Sequence, residues 1–153
     1  MLWRTPSTER QEHRVSNREQ RALVDELTDL PNLRECSKDD LRALAEAGRV
    51  VTLPDGWAFV QEGTPADAAY ILLSGEANVL VGRTIVASLG SGAIIGEMAY
   101  LDGGQRHATV ATHGRVRAVR LDYDELDSLL KKHEGLKTVL RAADREHRGR
   151  KES

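Results

Sequence analysis

The sequence has one cysteine, no long apolar run and no large excess of charge of either sign. The single cysteine, Cys36, cannot form an internal disulfide, so a reducing, cytoplasmic setting is expected. No segment stays apolar over the roughly 18 residues that a membrane-spanning helix needs, and the charged first residues lack the apolar stretch of a signal peptide. The formal net charge of −2 argues against nucleic acid and anionic membranes as partners.

The overall composition is that of an ordinary globular domain. Hydrophobic residues make up 40% of the 153 residues and charged residues 30%, so the chain can bury a core without metals or disulfides. The length favours one domain, which we place at residues 18–147. Residues 1–17 are polar and lack periodicity, which predicts a disordered or loosely docked tail, and residues 148–153 are predicted to form a charged tail.

Helical periodicity marks both ends of the predicted domain. A first helix starts near Arg18 and is stopped by Pro31. A second begins at the cap Ser37 and ends at Gly48, where we expect a left-handed C-cap. After the strand region the helical period returns, with Gly135 interrupting two apolar stripes. The second stripe predicts a core, a lid or a homodimer face, and it consists of Leu136, Val139, Leu140 and Ala143.

Between these helices the apolar period changes to that of strands. Short segments rich in β-branched and aromatic residues are separated by turn signals such as residues 54–56, Pro-Asp-Gly. This spacing predicts an α+β fold: an antiparallel, jelly-roll-like β-roll over about 49–121, with flanking N-terminal helices and C-terminal helices over about 122–147. The predicted strands are Val50–Leu53, Trp57–Gln61, Ala69–Leu73, Ala77–Val81, Thr84–Leu89, Ala108–Thr112 and Val116–Leu121.

The strand rhythm breaks between Leu89 and Arg106, where glycines precede a short predicted helix. A helix N-terminus presents unpaired N–H groups that favour an anion, and Gly96 lets a ligand approach the backbone closely. Arg106 is suited to gripping two phosphate oxygens at once. A phosphate would repel Glu97, which can instead accept a hydrogen bond from a sugar hydroxyl. The combination predicts a ligand that carries both an anionic group and a ribose.

Residues 95–101, IGEMAYL, and 106–110, RHATV, resemble the phosphate-binding cassette of the cyclic nucleotide-binding domain family. That family includes catabolite-activator-like transcription factors and regulatory subunits of protein kinase A. Residues 56–63 and 69–76 are similar to its glycine turns and to its strand ending in Ser-Gly, and the similarity extends over about 33–130. The resemblance implies a stand-alone regulatory domain without catalysis or cofactor. Such a domain binds cyclic AMP, with cyclic GMP as the alternative, and signals to an unidentified protein effector through its C-terminal helix.

The resemblance also implies a role for each residue of the site. Glu97 would accept from the ribose 2′-hydroxyl, and Arg106 would pair with the cyclic phosphate. Backbone groups of Gly96, Met98, Ala99 and Ala108 would complete the phosphate cradle. The apolar walls would be formed by Val79, Val86 and Leu89. The final helix, about 134–147, would close over the base as a lid, and the candidates for the base contact are His133, Leu136, Leu140 and Arg141.

Two residues depart from the family pattern. His107 follows the cassette arginine, where the family has a small residue, and Ile95 stands where phenylalanine is common. A serine or threonine at position 107 could meet the amino group of guanine, so its absence favours cyclic AMP. His107 could instead contact the phosphate or crowd the pocket, and the exchange at Ile95 affects packing only.

Three alternatives follow from these residues. His107 motivates a degenerate domain that serves as a protein-interaction module without nucleotide. His107 and His113 share strand parity, as in metal-binding cupins, but the clustered His and Glu ligands of that fold are missing from the pattern, so no metal site is expected. The few residues after the final helix are too short for a helix-turn-helix, which disfavours a transcription factor.

Overall fold

In the part of the chain that the structure describes, two α-helices precede the sheet, and each begins at a serine cap. The computed structural model describes residues 16–102 and 105–152. The side chains of Ser16 and Ser37 each accept a hydrogen bond from the backbone N–H three residues later, that of Glu19 and Asp40. The carboxylates of Glu19 and Asp40 in turn accept from the backbone N–H of the serines, which completes two capping boxes. The helical segments before the sheet are α1 (Asn17–Thr28), a 3₁₀ helix (Pro31–Leu33) and α2 (Lys38–Ala47).

The end of α2 differs from the sequence expectation. Gly48 follows the helix in an extended conformation, with φ of −86°, and not in the predicted left-handed one. A side chain at this position would meet Val119, so glycine is explained here by close packing against the sheet and not by its backbone freedom.

The strands of the described residues form one antiparallel sheet that curls into a roll. They are β1 (Arg49–Leu53), β2 (Ala58–Val60), β3 (Ala68–Val81), β4 (Thr84–Leu89), β5 (Ile94–Ile95) and β6 (Thr109–Asp122). The strand β6 pairs with β1, β2 and β3, and β3 also pairs with β4 and β5. The predicted α+β class and β-roll are confirmed by this topology.

Two pairs of predicted strands are single long strands in the structure. Residues 69–73 and 77–81 were expected to be separate, yet β3 runs through both, and β6 likewise joins 108–112 to 116–121. The register between β3 and β6 shifts around Ser74, while Gly75 and Gly114 adopt positive φ angles of 95° and 85°. These glycines therefore bend the paired strands as a bulge does, without ending the pairing.

The C-terminal helices extend further than predicted. They are α4 (Tyr123–Lys132) and α5 (Glu134–Glu152), and they are separated at His133 and not at Gly135. The predicted charged tail at 148–153 is thus helical over 148–152, because α5 continues. Of the predicted tail at 1–17, residues 1–15 lie outside the described residues, and residues 16 and 17 cap and begin α1.

Alternate residues of the long strands face two apolar clusters. Ile71 and Leu73 join the helices in one cluster, whereas Leu72 faces the second cluster inside the roll. The stripe of α5 packs into the helical cluster, where Leu136, Val139 and Leu140 are buried. The stripe is therefore used within the chain's own core, and a homodimer through this helix stays a prediction. None of the described helices is long and apolar enough to span a membrane.

Candidate functional site

The site is built on a sharp turn between β5 and a short helix, α3 (Glu97–Asp102). Gly96 makes this turn with a φ of 94°, a region that favours glycine. A Cβ atom there would lie 2.6 Å from Arg106 Nη1 and 3.0 Å from the carbonyl oxygen of Ala68. The hydroxyl of Tyr123 donates to the carbonyl of Gly96 at 2.8 Å. The turn is therefore held in place and leaves room only for a glycine beside the guanidinium.

Arg106 is the buried cation of the site, with 6% of its surface exposed. Its Nη2 lies 3.5 Å from Asp67 Oδ1, and Asp67 also pairs with Arg120. Its Nη1 is buried and has no hydrogen-bond partner among the described residues. A buried N–H group of a charged side chain is costly to leave unpaired, so this atom marks a position that an anion would satisfy.

The first turn of α3 adds backbone donors next to that cation. Since the helix begins at Glu97, the N–H groups of Glu97, Met98 and Ala99 have no helical carbonyl four residues before them. The N–H of Tyr100 is the first that bonds back, to the carbonyl of Gly96 at 3.4 Å. The predicted phosphate cradle of Gly96, Met98, Ala99 and Arg106 is thus brought together in space.

Glu97 is buried, with 1% of its surface exposed, and its partner comes from α5. His147 Nδ1 lies 2.6 Å from Glu97 Oε2. An ionised carboxylate is only an acceptor, so the imidazole N–H donates in this bond. His147 was not among the predicted site residues. Its spacing offers a signal, because it continues the apolar stripe of α5 by one more turn after Ala143.

The far end of α3 is also held by α5. Arg148 Nη2 donates to Asp102 Oδ1 at 2.7 Å, and its Nε donates to both oxygens of Asp144. The hydrogen bond from Arg148 holds the pKa of Asp102 below its ordinary value, and the nearby His107 adds to the effect. His107 Nε2 lies 3.0 Å from Asp102 Oδ2, at an ion-pair distance without hydrogen-bond geometry. The unusual histidine thus faces the carboxylate that ends α3.

The remaining predicted site residues lie on the roll. Ala108 precedes β6 and is partly buried. Val79 and Leu89 pack in the cluster inside the roll, whereas Val86 is 45% exposed at a register shift between β3 and β4. The assignment of these three residues as walls for the base or ribose stays a prediction.

The predicted lid candidates are engaged elsewhere. His133 Nδ1 lies 2.9 Å from Asp40 Oδ1, at the junction of α4 and α5, and Leu136 and Leu140 are buried in the helical cluster. Arg141 is exposed. The residues of α5 that do reach the site are His147 and Arg148, which lie about two turns beyond Leu140 and Arg141.

An aromatic contact joins α3 to α4. The rings of Tyr100 and Tyr123 meet edge to face, with centroids 5.0 Å apart, and the hydroxyl of Tyr100 bonds to Asp127. Burial raises the pKa of Tyr123 to about 12, so its hydroxyl remains a donor to the Gly96 turn at neutral pH. The Gly96 turn and α3 are therefore connected to both C-terminal helices.

Neither a metal site nor a reactive cysteine is supported by the described part of the chain. Across residues 16–102 and 105–152, no group of three or more His, Cys, Asp or Glu side chains is placed to hold a metal ion. Burial, aided by the nearby charges of Asp40 and Glu35, raises the pKa of Cys36 to about 11. The thiol is then protonated at neutral pH, which argues against a nucleophilic role.

Comparison with known proteins identifies relatives of this arrangement. A family profile described as the cyclic nucleotide-binding domain matches residues 50–133, more than half of the chain. The cAMP-dependent protein kinase regulatory subunit of Aspergillus fumigatus is 33% identical over 106 residues, 68% of this chain and 26% of that protein. The CRP-like cAMP-activated global transcriptional regulator of Mycobacterium tuberculosis is 33% identical over 95 residues, 58% and 42% of the two chains. The chain thus spans about a quarter to two-fifths of these relatives.

Solved structures share the fold. The structure described as cAMP bound PfPKA-R (141-441) superposes with a TM-score of 0.78 at 21% identity, covering 88% of this chain and 46% of that chain. The regulatory domain of Toxoplasma gondii PKA with cAMP gives 0.73 at 20% identity, covering 86% and 51%. At these identities the likeness shows the fold alone, and it agrees with the predicted β-roll and its flanking helices.

Proposed function

This chain belongs to the cyclic nucleotide-binding domain family, and we propose that it is a regulatory domain that binds a cyclic nucleotide, preferably cyclic AMP. The observation that carries the proposal is the buried Arg106 guanidinium, whose Nη1 has no hydrogen-bond partner in the described part of the chain. It lies beside the glycine-led start of α3. A cyclic phosphate would give this N–H an acceptor and would meet the backbone donors of the first helical turn.

Glu97 supplies the ribose half of the proposed recognition. In a 3′,5′-cyclic nucleotide the 2′-hydroxyl is next to the phosphate ester, so its acceptor must lie close to the phosphate-binding cation. Glu97 directly follows Gly96, the turn that Arg106 contacts. A carboxylate that accepts from the hydroxyl and a guanidinium that pairs with the phosphate can therefore act on adjacent groups of one ligand.

The preference for cyclic AMP is supported by position 107 and by the relatives. His107 leaves no serine or threonine hydroxyl to bond the amino group of guanine, and it faces Asp102. The protein kinase regulatory subunits and the CRP-like regulator that resemble this chain are both named for cyclic AMP. Competition between the two nucleotides for a fluorescent cyclic AMP analogue would measure this preference directly.

We further propose that binding is read by a protein effector through α5, without catalysis by this chain. A ligand shifts an equilibrium only when it prefers one arrangement over another. The contacts from His147 and Arg148 to both ends of α3 are the ones that a ligand at Glu97 would disturb. A cytoplasmic setting agrees with the free thiol of Cys36, since the sequence has no second cysteine to pair with it.

Isothermal titration calorimetry on wild type, Arg106→Ala and the exposed control Arg34→Ala tests the proposal. We expect micromolar or tighter binding of cyclic AMP to wild type and to the control. Loss of a buried, charge-assisted contact should weaken binding by roughly a hundredfold in Arg106→Ala. Folded wild-type protein that gives neither heat nor a thermal shift with either nucleotide would overturn the proposal. It would favour the degenerate domain, which acts as a protein-interaction module.

A further inference from the structure

The two residues proposed to grip the ligand are both covered in this structure. Glu97 is 1% exposed and Arg106 is 6% exposed, so neither side chain is open to solvent. Part of the cover of Glu97 is α5, whose His147 donates to Glu97 Oε2 at 2.6 Å. A ribose hydroxyl would need access to this same carboxylate. Some part of the chain must therefore move before the ribose can reach Glu97.

The contacts of α5 identify the segment that must move to uncover Glu97. His147 holds Glu97, the first residue of α3, and the adjacent Arg148 holds Asp102, its last residue. Asp144 accepts two bonds from Arg148 Nε and so fixes the direction of the guanidinium. One turn of α5 thus fastens both ends of the binding helix. We call the three residues of this turn that make these contacts, Asp144, His147 and Arg148, the latch.

The rest of α5 is anchored differently. Leu136, Val139 and Leu140 are buried in the helical cluster, and His133 is tied to Asp40 at the start of the helix. Releasing that half would expose several apolar side chains to water, which is unfavourable. The latch makes polar contacts that water can replace. Release of the last turns alone is the less costly way to uncover Glu97.

Building on the proposed function, we propose that the latch is a built-in competitor for the ribose: His147 occupies the carboxylate of Glu97, and nucleotide binds only when this turn releases. Imidazole N–H and ribose O–H are both donors to one acceptor, so each weakens the other's binding. The measured affinity is then the intrinsic affinity reduced by the fraction of molecules whose latch is open. His107, which shares Asp102 with Arg148, belongs to the same group of contacts.

Stopped-flow binding of a fluorescent cyclic AMP analogue to the full chain tests the competition. The variants are His147→Ala and Arg148→Ala, and the matched control is Arg145→Ala, an exposed position on the same turn. Removing a charge-assisted bond should raise the affinity and the association rate about tenfold in His147→Ala, with a smaller gain in Arg148→Ala. The affinity and the association rate of the control should stay within about twofold of the wild-type values. Equal or weaker binding by His147→Ala overturns the latch.

Hydrogen exchange without nucleotide gives a second measurement that does not depend on binding. We expect the amides of the last turns of α5 to exchange about tenfold faster in His147→Ala than in wild type, although alanine favours helix. The control Arg145→Ala also introduces alanine, which favours helix, and should not accelerate exchange. Unchanged exchange in His147→Ala overturns the latch, whereas the absence of nucleotide binding in all four proteins overturns the proposed function.

Discussion

Gly96 is the residue at which the site has least room. Its backbone angle, its contact with Arg106 and the hydrogen bond from Tyr123 all converge on one turn. These three constraints come from different parts of the chain, because Arg106 lies in the loop before β6, Tyr123 begins α4, and the backbone angle belongs to the turn itself. The backbone of Gly96 lies directly against the guanidinium of Arg106, so a side chain at position 96 would push the two apart.

We predict that Gly96→Ala weakens cyclic AMP binding by at least tenfold and lowers the free energy of unfolding by about 1–3 kcal/mol. The methyl group would lie 2.6 Å from Arg106 Nη1 in a backbone conformation that favours glycine. The matched control is Gly114→Ala, where φ is also positive, at 85°, but a Cβ meets nothing within 4 Å. Calorimetry and urea unfolding would check both. Equal effects of the two substitutions on binding would contradict the prediction.

The helices α2, α4 and α5 meet at Asp40, whose side chain contacts residues at the ends of all three. Its carboxylate accepts from the backbone of Ser37 in the capping box of α2 and pairs with His133 at the end of α4. Gly135, in the first turn of α5, lies against the same carboxylate with no room for a side chain. Burial would raise the pKa of Asp40, but the hydrogen bonds from Ser37 and His133 outweigh it and place the pKa below its ordinary value.

Asp40→Asn should lower the free energy of unfolding by about 1–3 kcal/mol at pH 7, since it removes the charge that both partners bond. The pKa of Asp40 is lower in the folded state than in the unfolded state, where it is about 3.9. The stabilisation is therefore complete above pH of about 4 and is lost as the pH falls through the folded-state value. Urea unfolding of both proteins from pH 7 to pH 2 should show their difference shrinking below about pH 4. A constant difference would show that the charge is not responsible.

At the scale of the whole molecule, the described residues form two apolar clusters that share the strands β3 and β6. Neighbouring residues of these strands, such as Ala118 and Val119, face opposite clusters. The roll that carries Arg106 and the helices that carry His147 are therefore packed against the same two strands. A nucleotide that binds Arg106 and Glu97 only in the folded chain would stabilise the folded state.

We predict that cyclic AMP at a hundred times its Kd raises the free energy of unfolding by about 2.7 kcal/mol. For a chain of this size, that corresponds to a rise in Tm of roughly 5–11 °C. Differential scanning fluorimetry would measure it, with Arg106→Ala as the control. A hundredfold weaker Kd leaves this variant only about 0.4 kcal/mol of stabilisation at the same concentration, a shift of roughly 1–2 °C. A rise as large in Arg106→Ala as in wild type would place the ligand outside the predicted site.

Much of this molecule could be predicted from short stretches of sequence. The capping boxes at Ser16 and Ser37 depend on residues three apart, and Gly96, Glu97 and Arg106 form a recognisable set within 11 positions. Such features depend on local geometry, which the sequence carries directly. They were sufficient for the fold class, for the family and for the proposed phosphate and ribose contacts.

The features that escaped prediction depend on packing between distant segments. Gly75 and Gly114 have the composition of turns, yet pairing along β3 and β6 carries both strands through them. Residues 148–152 look like a charged tail, but Arg148 is held by Asp102, 46 positions away. His147 meets Glu97 across 50 positions. The spacing of α5 shows that His147 shares the face of the apolar stripe, but it does not show which residue of α3 that face meets. That partner depends on where the fold places α5 against α3.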